Sequence, residues 1–168
     1  MPNAKHSTSA LGAAGVSLVE TEIHLYAPGW QPARPIVDSG IDLRVISPEG
    51  SKVYNLQVKA SAAWSLHVRL KWKDIPNFLG VFICNLQTRD AAEVYVMRFL
   101  EMIDVLDEWM PAGKFRSTRS WNQGAAKAGY GTWKRAPRLV AAMQPYRATP
   151  ERWQSVLKPA RNSYCGKA

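Results

Sequence analysis

What this 168-residue chain lacks narrows it first. It has 2 cysteines, Cys84 in an apolar run and Cys165 near the end, which cannot build a disulfide framework. No apolar run approaches the ~18 residues of a membrane-spanning helix. The opening MPNAKHSTSALGAAG carries one Lys and no apolar stretch, so no secretory signal is expected. A flexible lead over residues 1–10 and a reducing, cytoplasmic setting follow from these absences. The 3 histidines, His6, His24 and His67, fall at no metal-ligand spacing. Ser17, Ser61 and Cys84 have no neighbouring acid–base partner that would make them nucleophiles. The glycines between Phe115 and Lys134 do not follow a strand and open a helix as a phosphate-binding loop requires, which argues against a nucleotide-binding fold.

Acidic residues are scarce in one place. Residues 1–112 hold 12 Asp and Glu beside ten Lys and Arg, whereas residues 113–168 hold 12 Lys and Arg and only Glu151. The net charge of +9 therefore sits wholly in the last third. A solvated basic tail is the plain reading of such a segment. Against it stand Phe115, Trp121, Tyr130, Trp133, Tyr146 and Trp153, too many rings for simple disorder. Cations interleaved with aromatics suit a surface that neutralises phosphates and stacks bases. Lys114, Arg116, Arg119, Lys127, Lys134, Arg135 and Arg138 are the candidate nucleic-acid contacts.

Periodicity orders the remainder. Val16, Val19, Ile23 and Tyr26 make one apolar stripe of a helix over Leu11 to Tyr26, stopped by Pro28-Gly29. Trp30 to Val37 reads as an irregular or edge strand, because Pro32 and Pro35 cannot donate to a ladder. Ser61 to Asn77 reads as a strand, or a strand-like loop, with His67, Arg69, Lys71 and Lys73 on its outer face. Phe78 to Leu86 suits a central strand, Ala92 to Phe99 another, and Leu100 to Met110 a helix. Phe115 to Lys134 reads as a loop or irregular arm. Pro137 to Met143 suits a short helix, and Thr149-Pro150-Glu151 opens one running to Leu157. The expected fold is α+β: a mixed sheet of four or five strands flanked by helices. The expected domains are a core over 11–112 and a basic C-terminal extension over 113–168.

The segment from Val37 to Ser61 carries the chemistry. Ile41, Leu43 and Val45 alternate with Asp42 and Arg44; Tyr54, Leu56 and Val58 alternate with Asn55, Gln57 and Lys59. This is a half-buried hairpin, with Pro48-Glu49-Gly50-Ser51 as its turn. A turn centred on Glu49-Gly50 makes paired positions sum to 99. Asp42 then faces Gln57, with Lys59 one step along the same face. Asp38, before Ser39-Gly40, reads as a turn residue and only distantly as an alternative acid. An ordinary hairpin with an Asp42–Lys59 surface ion pair, worth ~0–1 kcal/mol, is the competing reading.

Gly40-Ile41-Asp42-Leu43, Gln57-Val58-Lys59 and the acidic helix before Gly29-Trp30 together resemble the PD-(D/E)xK nuclease superfamily. The likeness spans roughly residues 12–98, and this stretch resembles archaeal Holliday-junction resolvases, with glutamine where a carboxylate is usual. It implies a restriction-endonuclease-like sheet and metal-dependent DNA cleavage. It also implies Mg²⁺ (Mn²⁺ being compatible) held by Asp42, Gln57, the Val58 main-chain carbonyl and a helix glutamate. Glu20 is preferred to Glu22 for that last role. Lys59 would orient water, and Ser61 would hydrogen-bond close by. Resolvase likeness further implies a homodimer. The alternatives are a catalytically weak nucleic-acid-binding protein on the same fold, or a basic RNA- or protein-interaction module.

Overall fold

The computed structural model describes residues 8–37, 40–87, 92–109, 130–134 and 137–158. Helix α1 (Thr8–Tyr26) leads into three antiparallel strands: β1 (Gln31–Ala33), β2 (Leu43–Ile46) and β3 (Val53–Ala60). Next come β4 (Ser65–Arg69), a 3-10 turn (Leu70–Asp74), β5 (Phe78–Cys84), β6 (Glu93–Arg98) and α2 (Phe99–Trp109). Strand β7 (Tyr130–Lys134), α3 (Pro137–Met143) and α4 (Pro150–Leu157) complete the order. The main sheet runs β1-β2-β3-β5-β6, antiparallel except for the β3–β5 pair. The architecture is thus α+β, a mixed five-stranded sheet with four helices around it. Among the described residues no helix is long and apolar enough to cross a membrane.

Strand parity separates two cores. Leu43, Tyr54, Leu56, Val58, Val81 and Val96 face α1 and α4, where Val19, Ile23, Trp153 and Val156 meet them. The opposite face carries Phe78, Phe82, Tyr95 and Met97. It is covered by β4 and its 3-10 turn, by Met102 and Leu106 of α2, and by Leu139 and Met143 of α3. Every residue of β5 is buried, as a strand covered on both faces requires. Close packing of α1 depends on Gly15, where a Cβ would lie 2.6 Å from the Ala60 Cβ.

Parallel strands need a long crossover, usually a helix. Here the crossover from β3 to β5 is β4 and the 3-10 turn, so the strand expected over 61–77 stops at Arg69. Strand β4 pairs antiparallel with β7, Leu66 opposite Trp133. Residues 130–134, expected in an irregular arm, are therefore a strand. That pairing is between segments distant in sequence, and no local pattern encodes it. The segment 113–168, read as an extension of an 11–112 core, supplies α3 and α4, which fill both cores. Helix α4 starts as its sequence implies, with the Thr149 hydroxyl accepting from the Arg152 N–H at 3.2 Å and Pro150 in the first turn.

Candidate active site

The hairpin turn closes through Gly50 N–H donating to the Ser47 carbonyl at 2.8 Å, with Gly50 at φ 72°. Only a residue without a Cβ adopts that φ at no steric cost. Leu43 pairs with Leu56 and Ile46 with Val53, so paired positions do sum to 99. Leu43 and Leu56 point to the α1 core. Parity then puts Gln57 and Lys59 together on the other face. Asp42 lies ahead of the ladder, and Ile41 packs into the core opposite to Leu43. The alternation expected over 41–45 therefore starts only at Leu43, and the Asp42 carboxylate reaches Gln57 from a bend.

Asp42 sits just ahead of β2, where Gly40 at φ 75° bends the chain. Its backbone N–H donates to the Leu56 carbonyl at 2.8 Å. Its carboxylate Oδ2 accepts from the Val58 N–H at 2.6 Å and from the Gln57 Nε2. Both of these hydrogen bonds fall on Oδ2. In a strand the N–H and C=O of one residue project to the same edge. The Val58 carbonyl therefore points, like its N–H, toward Asp42 and past the end of the β2 ladder. Gln57 is only 6% exposed and Lys59 is half-buried. The floor is apolar: Gln57 lies beside Gly80, and Lys59 beside Phe82, in the β5 register.

Two residues that the sequence placed on a basic outer face, Lys71 and His67, lie close to these groups. A Cβ on Gly40 would lie 3.8 Å from the Lys71 Nζ and 3.9 Å from the Gln57 Oε1, so ammonium and amide oxygen approach the same point. His67 on β4 is half-buried. Burial, with the Lys59 and Arg69 charges behind it, lowers its pKa to about 4 and keeps the ring neutral at pH 7. The alternation through Lys71 had marked this face as basic, but not what it faces. Trp72, fully buried and stacked on Phe78 with ring centroids 5.0 Å apart, anchors the turn that carries Lys71. Its indole N–H has no acceptor among the described residues.

The helix acids lie elsewhere. The Glu20 carboxylate accepts both the Arg34 Nε at 2.8 Å and Nη2 at 2.6 Å, on the α1 side of the sheet. That guanidinium lowers the Glu20 pKa. Glu22 accepts from the Trp153 indole at 2.9 Å, joining α1 to α4, and burial raises its pKa. The Ser61 hydroxyl donates to the Ala63 carbonyl within its own loop. Among the described residues no group of three His, Cys, Asp or Glu side chains could hold a metal. Of the expected nucleic-acid contacts, Arg138 is exposed on α3 and Lys134 belongs to β7. Lys114, Arg116, Arg119, Lys127, Arg135 and the alternative acid Asp38 lie outside the described residues.

The oxygens that could hold a cation are those of the Asp42 carboxylate, the Gln57 amide and the Val58 main chain. These are hard oxygens carrying a single negative charge. They cannot cage a cation alone, but Mg²⁺ is commonly held by one or two carboxylates completed by water and substrate phosphates. The residues fit that partial shell, with Lys59 and Lys71 beside it. Comparison with protein-family models, curated proteins and solved structures yields no match, so the reading of this site rests on its own geometry.

Proposed function

We propose that the chain is a metal-dependent DNA endonuclease of the PD-(D/E)xK type, hydrolysing phosphodiester bonds at the Asp42–Gln57–Lys59 face. One observation carries the reading. At the open end of the hairpin the Asp42 carboxylate accepts from the Gln57 amide and from the Val58 N–H, with the half-buried Lys59 next on the same strand face as Gln57. Asp42, Gln57 and the Val58 carbonyl would hold Mg²⁺ or Mn²⁺, which supplies Lewis-acid activation of the phosphate and a more acidic bound water. Lys59 would orient the attacking water and offset charge growing on the phosphate oxygens. The basic segment 113–168 would hold the flanking strand, and a cytoplasmic homodimer is the form that resolvase-like action on branched DNA implies.

A second reading is favoured by a specific contact. With Glu20 engaged by Arg34, the site has one carboxylate where two would bind a cation firmly. The protein would then bind nucleic acid on this fold without cutting it. The experiment is cleavage of a labelled duplex and a four-way junction with Mg²⁺ or Mn²⁺, comparing wild type with Asp42→Asn and Lys59→Met. The nuclease reading expects metal-dependent cutting that both variants lower by roughly 100-fold or more. Binding without cutting at any metal concentration selects the second reading.

A further inference from the structure

We infer that Lys71 holds a second phosphate of the same nucleic-acid strand, next to the one at Asp42 and Lys59. This rests on the proposed reading of the site as one that takes a phosphodiester chain. Lys71 is exposed and makes no ion pair among the described residues. Its ammonium nevertheless lies 3.8 Å from the Cβ position of Gly40, whose other near neighbour is the Gln57 amide oxygen. An exposed lysine ordinarily loses several rotamers when it grips a ligand. Here the backbone share of that ordering is already met, because the residue after it is locked, and only side-chain freedom remains to be lost. Trp72 is 1% exposed and stacked on Phe78 with an interplanar angle of 26°. The preceding strand is fixed by its ladder to β7 and by the Cys84 thiol donating to the Ser65 carbonyl at 3.4 Å.

The charges suit a polyanion with repeated sites rather than a lone anion. Lys59 lies one pleat beyond Gln57 on β3, and Lys71 approaches Gln57 from the side of Gly40. Lys59 and Lys71 thus come to the Asp42–Gln57 pair from different elements, β3 and the 3-10 turn. Arg69, whose Nε lies 3.4 Å from the His67 Nε2, adds a third cation on the β4 side. Among the described residues one carboxylate stands with three cations, and successive phosphates on one strand supply charges in a row. A protonated His67 would add to this field, but burial and its cationic neighbours keep it neutral.

The test separates binding from cleavage. Fluorescence anisotropy with labelled single-stranded and duplex oligonucleotides in EDTA measures affinity with no metal present. Lys71→Gln should weaken binding by roughly three- to tenfold. It should also reduce the slope of log K against log salt by about 0.7 on single strands and about 0.9 on duplex. Lys71→Arg should restore both quantities, and Lys73→Gln, equally exposed, should change neither. In cleavage assays Lys71→Gln should raise KM with kcat unchanged. If the wild type binds but does not cut, and Lys71→Gln weakens that binding, hydrolysis fails as a reading while the phosphate subsite stands. If the wild type binds no oligonucleotide in EDTA, or binds only inorganic phosphate, the proposal is overturned. Unchanged affinity and salt slope in a folded Lys71→Gln variant overturn it equally.

Discussion

The Val58 backbone N–H donates to the Asp42 carboxylate at 2.6 Å, so a side chain takes the place a strand carbonyl would fill at the head of β2. Asp42 therefore has a structural duty as well as a proposed chemical one. Asp42→Ala leaves the Val58 N–H and the buried Gln57 amide without their acceptor, at an expected cost of about 1–3 kcal/mol. Asp42→Asn keeps an acceptor oxygen in place and should cost less than half as much. Urea denaturation of the two variants gives the comparison. Equal stabilities for Ala and Asn would show that the Val58 contact contributes nothing.

Gln57→Glu places a second carboxylate against Asp42, where the amide Nε2 now donates. Two like charges in a nearly buried site repel, and one of them will hold a proton well above the ordinary carboxylate range. Without metal this variant should melt below wild type. Adding Mg²⁺ should raise its melting temperature far more than it raises that of wild type, since the second carboxylate doubles the anionic charge on the cation. A variant whose melting temperature ignores Mg²⁺ would remove Gln57 from the donor set.

Gly15→Ala tests the packing of α1. Alanine gains about 1 kcal/mol of helix propensity over glycine. Its Cβ, however, would lie 2.6 Å from the Ala60 Cβ and 3.2 Å from the Ile83 Cδ1. Overpacking of this kind costs about 1–3 kcal/mol and should win, because the Ala60 Cβ is held rigidly by β3. Double substitution Gly15→Ala with Ala60→Gly should recover most of the loss. Thermal melting of the single and double variants decides it.

His67 predicts a pH dependence with a defined sign. Its folded pKa, pushed down to about 4 by burial, Lys59 and Arg69, lies below the ordinary value of 6.5. Above about pH 6.5 neither the folded nor the unfolded state holds the proton. Between about 6.5 and 4 the unfolded state takes it up alone, so stability is full at neutral pH and declines as pH falls through this window. Because the ring is half exposed, solvent screening keeps the effect modest. His67→Gln should flatten the difference in melting temperature between pH 7 and pH 5. If wild type and variant lose stability in parallel over that interval, His67 is already protonated in the folded state.

Local information was enough for much of the hairpin. Alternation in residues 43–46 and 53–59, with Gly50 to close the turn, fixes the register and puts Gln57 and Lys59 on one face. It did not place Asp42, which sits at a bend ahead of the ladder, where Ile41 turns to the opposite core and the carboxylate reaches over to Gln57. The start of α4 is equally local, since Thr149 and Pro150 satisfy the first turn from their own side chains. The α1 stripe marked which side of that helix is buried. It did not show which neighbour would claim Glu20, because Arg34 comes from the end of an edge strand 14 residues away.

What the sequence by itself determined is whatever depends on neighbours within a few residues: turns, caps, the two periodicities, and the concentration of positive charge after Gly113. The tertiary structure decided the rest. It pairs β4 with β7 and folds the basic outer face of 67–71 back toward the hairpin. It also spends part of the C-terminal segment on the two cores: the Tyr54 hydroxyl donates to the Lys158 carbonyl at 2.9 Å, a contact spanning 104 residues. Such contacts form only where burying apolar surface repays the entropy of closing a long loop. That balance belongs to the assembled sheet and its two covering layers, and no single segment carries it.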